Sequence, residues 1–214
     1  MRIHNTNTGK LIHASVPVVD GEAAASGDFA IDGVSGTAAQ IRLDFIEPAG
    51  SRTGKLLPMG KPTSDLKGIE VTLIDVANPC VFVRASTVGV PPDLTPQQIE
   101  DHPTLPATLD TIRRQAGVIM GLADTPEDVP GSVPKVAIIS PLAAGGNNLV
   151  VRAMSVGQPH RAIPVTVALA VAAAARLPST VVAQCLSEPV SVEGVVIHHA
   201  SGCRLMLNTA RLGI

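Results

Sequence analysis

The 214-residue chain predicts an α+β fold in which strands dominate and enclose a buried helix. Three observations carry that prediction. Short runs of alternating apolar and polar residues recur along the chain and mark strands. One segment, 162–175, is apolar almost all round; a helix there has no solvent face and must be sheathed, mostly by sheet. Strands and helices do not alternate strictly, which argues against a doubly wound parallel sheet.

The elements follow in order. "RIHNTNTGKLIHASVPV" is two alternating runs around Asn5-Thr6-Asn7-Thr8-Gly9, residues that tolerate the backbone of a tight turn, so it reads as a hairpin and the chain begins inside a strand. Residues 19–36 are rich in Gly, Ala, Asp and Ser and read as loop with a short strand around Phe29. "AQIRLDFIEP" alternates up to Pro48, and "AGSRTGKLLPMGKP" is turn-rich. "GIEVTLIDVANPCVFVRAS" holds two strands parted at Asn78-Pro79. Thr95 is placed to cap a helix with Pro96 at its first position. Pro103 and Pro106 break that helix. A second one over about 107–122 places Leu109, Ile112, Ala116, Ile119 and Met120 on one face. "KVAIISPL" and "NNLVVRAMSVG" read as strands, the apolar helix spans about 160–176, and "STVVAQCL" and "VSVEGVVIHHASG" read as further strands. No repeat at solenoid spacing occurs.

Composition narrows the function. Hydrophobic residues make up 45% and charged residues 16%, so the chain can bury a core. A net charge of −2 gives no basic excess for nucleic acid or anionic lipid. Only Phe29, Phe45 and Phe82 are aromatic, so platforms for stacking bases are missing. Cys80, Cys185 and Cys203 are odd in number and widely spaced, unlike a disulfide framework or a zinc knuckle. The N-terminal residues carry no apolar signal segment, and the longest apolar run is short of the ~20 residues a membrane span needs. A cytoplasmic protein with no membrane partner is expected.

Four places can carry chemistry. At the entrance to the apolar helix, Ser155, Gly157, Gln158, Pro159, His160 and Arg161 gather polar groups where four backbone N–H groups lack helical partners. With the helix dipole they suit a carboxylate; the ordinary alternative is that Ser155 caps the helix and His160 bonds backbone. "DVANPCVFV" sets Asp75, Asn78 and Cys80 at a break between strands, where Asn78, held out of the αR region by Pro79, can face a cleft. Cys80 sits among valines and Phe82, which favours inert packing over a reactive thiolate. "HHASG" puts His198 and His199 on opposite faces of a strand, so they do not chelate one metal together; Ser201 and Gly202 can instead bind a carboxylate. No metal and no cofactor is expected. "GSRTGKL" is one residue short of a phosphate loop and lacks a hydroxyl after Lys55, but Ser51, Thr53 and Lys55 can meet an acidic small molecule.

Six stretches in this order, "RIHNTNTGKLIHASVPV", "DFAIDGVSGTAA", "DFIEPAGSRTGKLLPMG", "VTLIDVANPCVFV", "MSVGQPHRA" and "HHASG", closely resemble the PrpF-type family of 2-methylaconitate cis–trans isomerases, 4-oxalomesaconate tautomerases and 3-methylitaconate isomerases. The resemblance covers nearly the whole chain. It implies a diaminopimelate-epimerase-like fold: two lobes, each a curved mixed sheet wrapped around a central helix, with the site between them. Residues 1–38 are then the remnant of a first lobe, and 39–214 a second lobe with its central helix at about 160–176. The family's Arg-Gly-Gly-Thr-Ser-Lys-like segment, its Cys-Gly-Asn turn and a catalytic Lys of the first lobe have no counterpart here, and "LMLNTARLGI" follows "HHASG" sooner than the resemblance implies. Both ends therefore read as shortened. Gln158 stands where many members have Lys.

The resemblance implies cofactor-free proton transfer in a small di- or tricarboxylic acid. A base takes a proton beside a carboxylate or ketone, donors stabilise the resulting anion, and the proton returns at another carbon. Asn78, Ser155, Gly157, Gln158, Ser201, Gly202 and Lys55 are the expected substrate contacts, with His160 and His199 as proton carriers. A catalytically dead carboxylate-binding or interaction module is the alternative. An amino-acid epimerase of the same fold is disfavoured, because Ser155 stands where a second cysteine is needed. An apolar rim left by the missing lobe is expected to drive self-association.

Overall fold

A computed structural model describes residues 1–143, 145–190, 194–202 and 204–207. Cys203 and the "NTARLGI" ending lie outside the described residues, as does part of the stretch read as a strand before Val195.

The N-terminal region is small. Strands β1 (Arg2–Asn5), β2 (Lys10–Ser15) and β5 (Arg42–Phe45) form an antiparallel sheet in the order β1-β2-β5. The hairpin expected at Asn5–Gly9 is present, with Gly9 at φ 67°. Between β2 and β5, residues 18–23 form a two-stranded ribbon, β3 (Val18–Val19) and β4 (Glu22–Ala23), and Phe29 makes a single bridge to Ala38.

The rest is built on an eight-stranded sheet of β6 (Ser64–Leu66), β7 (Ile69–Val76), β8 (Asn78–Arg84), β9 (Lys135–Pro141), β10 (Asn148–Ser155), β11 (Gln158–Pro159), β12 (Val195–His198) and β13 (Arg204–Leu207). Its order is β13-β12-β10-β9-β8-β7-β6, with β11 added to β10. The pairs β8–β9 and β10–β12 are parallel and the others antiparallel, so the sheet is mixed.

Both faces of this sheet are covered. Helix α3 (Val165–Arg176) packs with Ile74, Val76, Cys80, Phe82, Ala137 and Val151 in one core. Helices α1 (Pro96–Glu100) and α2 (Leu105–Ile119) lie with Leu73, Val81, Val83 and Ile138 in a second core on the other face. Hence every residue of β7 from Val71 to Val76 is buried, as expected of a strand covered on both faces. Successive residues serve opposite cores: on β7, Leu73 belongs to the α2 side and Ile74 to the α3 side.

The helices follow from sequence with adjustments. Thr95 Oγ1 accepts from Gln98 N while the Gln98 side chain accepts from Thr95 N, a full capping box. Helix α2 buries Leu109, Ile112, Ala116 and Met120 as expected, but Ile119 falls off the stripe and is 41% exposed. Helix α3 starts at Val165, five residues later than the sequence suggests. Val156 and Gly157, at φ 52° and 77°, make a two-residue hairpin loop that turns Gln158 and Pro159 back onto β10. Pro159 is thus in a strand, and Pro164 occupies the N-cap position. Leu177 turns extended before Pro178, and Thr180 Oγ1 donates to Ala174 O at 2.6 Å, capping the C-terminal end. The strand expected at "STVVAQCL" is instead a buried turn with a 3₁₀ segment, Ala183–Cys185. No described helix is long and apolar enough to cross a membrane.

Candidate functional site

One rim of the large sheet collects the candidate residues. Strands β7 and β10 end there and β8 and β9 begin there. Strand β12 runs parallel to β10 toward the same rim but stops at His198, the register partner of Val150, and the loop after it continues toward the segment entering α3. Helix α3 begins at this rim. The residues before it leave β11 beside Ser155, and His160 N donates to Ala153 O at 2.8 Å. The segment after α3 lies at the opposite rim, where Gln184 accepts from Arg84 and Ser187 Oγ accepts from Gly146 N.

The alternation of side chains selects a shared face. Cys80 and Phe82 of β8, Ala137 and Ile139 of β9, Val151 and Ala153 of β10, and Val195 and Ile197 of β12 all belong to the α3 core. Continuing each series toward the rim places Asn78, Lys135, Ser155 and His199 on the α3 side. Lys135 is the register partner of Cys80, and its Nζ donates to Ser155 Oγ at 2.7 Å. The sequence reading missed Lys135, because one lysine at a strand start looks like a solvated end. Only the β9 register reveals it.

Helix α3 reaches the rim without a side-chain cap: Pro164 has none to offer, and no acidic residue stands in the first turn. The first N–H groups of α3 therefore lack both intrahelical acceptors and a capping side chain. Ser155 does not cap them, contrary to the ordinary sequence alternative; its hydroxyl is with Lys135.

The remaining predicted residues are placed as follows. Asn78 opens β8 directly after Ala77, whose φ of 57° makes the tight β7–β8 turn. The break is therefore a hairpin corner. Gly157 and Gln158 are exposed at the β10–β11 hairpin, and His160 is exposed beyond it. His198 and His199 point to opposite sides as expected: His198 Nε2 lies 3.2 Å from Asn148 Oδ1, whereas His199 is buried and its Nδ1 accepts from Ser201 N at 3.3 Å. Ser201 Oγ donates to Arg161 O at 2.6 Å, which ties the loop after β12 to the segment entering α3. Gly202 N donates to His199 O. The N-terminal region reaches this loop too: a Cβ at Gly33 would come within 2.6 Å of Ser201 Cβ.

Lys55 stays exposed on the loop that flanks β7. That loop is organised by Asp75, which is fully buried. Its carboxylate accepts from Ser51 Oγ at 2.5 Å, Arg52 N at 2.7 Å, Thr53 N at 2.8 Å and Thr53 Oγ1 at 3.0 Å. Ser51 and Thr53, read from sequence as open to a ligand, are thus spent on an internal carboxylate. A buried charge is tolerable only with such a set of donors.

The electrostatics are one-sided. Burial holds the Lys135 ammonium below its ordinary pKa, with Cys80 acting weakly the other way. Burial pushes the Cys80 thiol far up, which makes it a packing residue at neutral pH. Burial and then the Lys135 charge lower His160; burial, then Arg152, lower His199. Both imidazoles are therefore neutral near pH 7. The rim presents the half-buried Lys135 ammonium, hydroxyl and amide donors, and neutral imidazoles. Among the described residues no group of three or more His, Cys, Asp or Glu is placed to hold a metal ion. A narrow crevice lined by Leu109, Arg113, Pro134 and Met154 on the α2 side reaches the same strand ends, where Lys135, Ser155 and Gly157 complete its lining.

Comparison with known proteins agrees with this architecture. The crystal structure of a methylitaconate-delta-isomerase superposes with a TM-score of 0.85 at 36% identity, over 97% of this chain and 58% of that one. The chain is 38% identical to 3-methylitaconate isomerase of Eubacterium barkeri over 94% of its own length and 58% of that enzyme's. It is 35% identical to (4E)-oxalomesaconate Delta-isomerase of Novosphingobium sp., over 92% of its own length and 54% of that enzyme's. It therefore spans little more than half the length of these relatives. The fold is the diaminopimelate-epimerase-like one that the sequence resemblance implied, and the PrpF protein family model matches residues 1–211. The chain belongs to the PrpF family.

Proposed function

We propose that the α3 rim binds a small di- or tricarboxylic acid and serves a cofactor-independent isomerase or tautomerase reaction of the 2-methylaconitate, oxalomesaconate or methylitaconate type. The observation that carries this reading is the uncapped start of α3 beside the strand ends that hold Asn78 and Ser155, with the loop after His199 tied to the segment entering the helix. Such a helix start favours an anion. Relatives named as isomerases of carboxylic acids support the same class.

In this reading Asn78, Ser155, Gly157 and Gln158 contact one carboxylate, and Ser201 and Gly202 another, with Lys55 approaching from the flanking loop. His160 and His199, neutral near pH 7, take or return the proton. Removal of a proton beside a carboxylate leaves an enolate-like anion, the rim's donors tighten on that charge, and protonation at a second carbon completes the double-bond shift. We read residues 1–38 as the remnant of the family's first lobe and 39–214 as the second lobe, in a cytoplasmic protein.

A second reading is carboxylate binding without turnover. It is favoured by one observation: His199 Nδ1 and Ser201 Oγ are already engaged within the protein. An ultraviolet assay for conjugated double-bond migration, paired with calorimetry, separates the two. Turnover of an aconitate-like acid supports the isomerase. Binding without turnover supports the second reading, and neither contradicts both.

A further inference from the structure

We infer that Lys135 is an anion-binding residue of this rim, taking one carboxylate of the di- or tricarboxylic acid; the inference rests on the reading above. The first ground is position. Lys135 opens β9 between Cys80 of β8 and Ser155 of β10; alternation along β9 assigns it to the α3 face, and with Ser155 it also lines the crevice that opens beside α2. Its side chain is half-buried, yet each ion pair found among the described residues joins other groups: Arg42 with Asp44, Arg84 with Glu70, and Arg113 and Arg114 with Asp110.

The second ground is what surrounds the ammonium. It has three donors, and one is used on Ser155 Oγ at 2.7 Å. The titratable groups that act on it or on which it acts are a neutral thiol, Cys80, and a neutral imidazole, His160. A cation drawn partly out of water without a carboxylate beside it is unfavourable unless an anion joins it.

A purely structural role explains less. The Lys135–Ser155 hydrogen bond could fasten β9 to β10, but those strands are already in register from Val136–Met154 through Pro141–Leu149. The extra tie specifies nothing that the ladder leaves open. The start of α3 adds positive potential at the same rim. A carboxylate held by Lys135 would gain from both.

The test uses the 214-residue chain and tricarballylate, a saturated tricarboxylate with no double bond to shift, titrated by calorimetry at low and moderate salt. Losing one charge-assisted hydrogen bond corresponds to roughly 10- to 100-fold in affinity. Lys135→Met is expected to weaken binding by about that factor and to flatten the salt dependence. Lys135→Arg is expected to recover most of the loss. Lys61→Met, which removes an exposed lysine elsewhere, is expected to bind as the unmutated chain does. A Lys135→Met variant that melts normally and binds within twofold of the unmutated chain overturns the inference while leaving the carboxylate site standing. An unmutated chain that binds no tricarballylate at millimolar concentration contradicts the site as a whole, and Lys135 with it. If Lys135→Met does not fold, the side-chain NMR signal of Lys135 in the unmutated chain decides: a shift on adding tricarballylate supports the inference, and an unchanged signal overturns it.

Discussion

The two sheets of this molecule differ in how they are covered. The eight-stranded sheet has α3 on one face and α1 and α2 on the other, and its central strands are apolar on both sides. The three-stranded sheet is amphipathic. Its register aligns Met1, Ala14 and Leu43 in one row and Ile3, Ile12 and Phe45 in the next, all on one face, while Arg2, His13 and Asp44 share the other. Among the described residues no helix is laid over that apolar face, and Met1, Ile3 and Leu43 are 76%, 37% and 46% exposed. The same strand chemistry gives a packed core where a helix covers it and an open apolar patch where none does. Exposed apolar patches of this kind favour association.

The sharpest way to break this comparison is a pair of substitutions. Ile74→Ala, at a fully buried position against α3, is expected to cost about 2–5 kcal/mol. Leu43→Lys, on the open sheet, is expected to change stability by about 0.5 kcal/mol or less and to reduce self-association. Chemical denaturation and sedimentation velocity read the two effects. Equal losses of stability would mean that the small sheet is covered after all.

A smaller effect is expected at the flanking loop. Asp75→Ala leaves the hydroxyl and amide donors of residues 51–53 without their acceptor, at a cost of about 1–3 kcal/mol. The loss is read by thermal melting, and amide hydrogen exchange should quicken at Arg52 and Thr53. Unchanged exchange would mean that the loop is held by something other than this carboxylate.

The smallest effect comes from pH. His160 and His199 have folded pKa values held below the ordinary histidine value, so the unfolded chain binds more protons as pH falls below about 6.5. Their contribution to stability is therefore present above that pH and is lost as pH falls toward the folded values. A melting series between pH 7.5 and 5 is expected to decline through this window, and less so in His199→Gln. A rise in stability on acidification would contradict the assigned directions.

Much of the architecture was legible in sequence because it rests on local pattern. The apolar run of α3, the Thr95 cap before Pro96 and the first hairpin each announce themselves within a few residues. What sequence misplaced depends on distant partners. The start of α3 shifted because Val156 adopts a positive φ, for which valine gives no signal. "STVVAQCL" has strand-forming residues but is drawn into a turn by Thr180, which closes the end of α3, and by Val181 N donating to Thr72 Oγ1 across 109 residues. Asp75 and the loop it organises are 22–24 residues apart. At the rim, sequence motifs found Asn78, Ser155 and His199, but the shared face and Lys135 emerge only from strand register.

The central claim is that the uncapped start of α3 and the strand ends around it receive a carboxylate. An amide NMR titration of the chain with tricarballylate tests it most directly. The account predicts the largest shifts at Val165, Thr166 and Val167, with Lys135 and Ser155 next. No perturbation, or perturbation confined to Leu109, Arg113 and Gly131 with none at the start of α3, would contradict it.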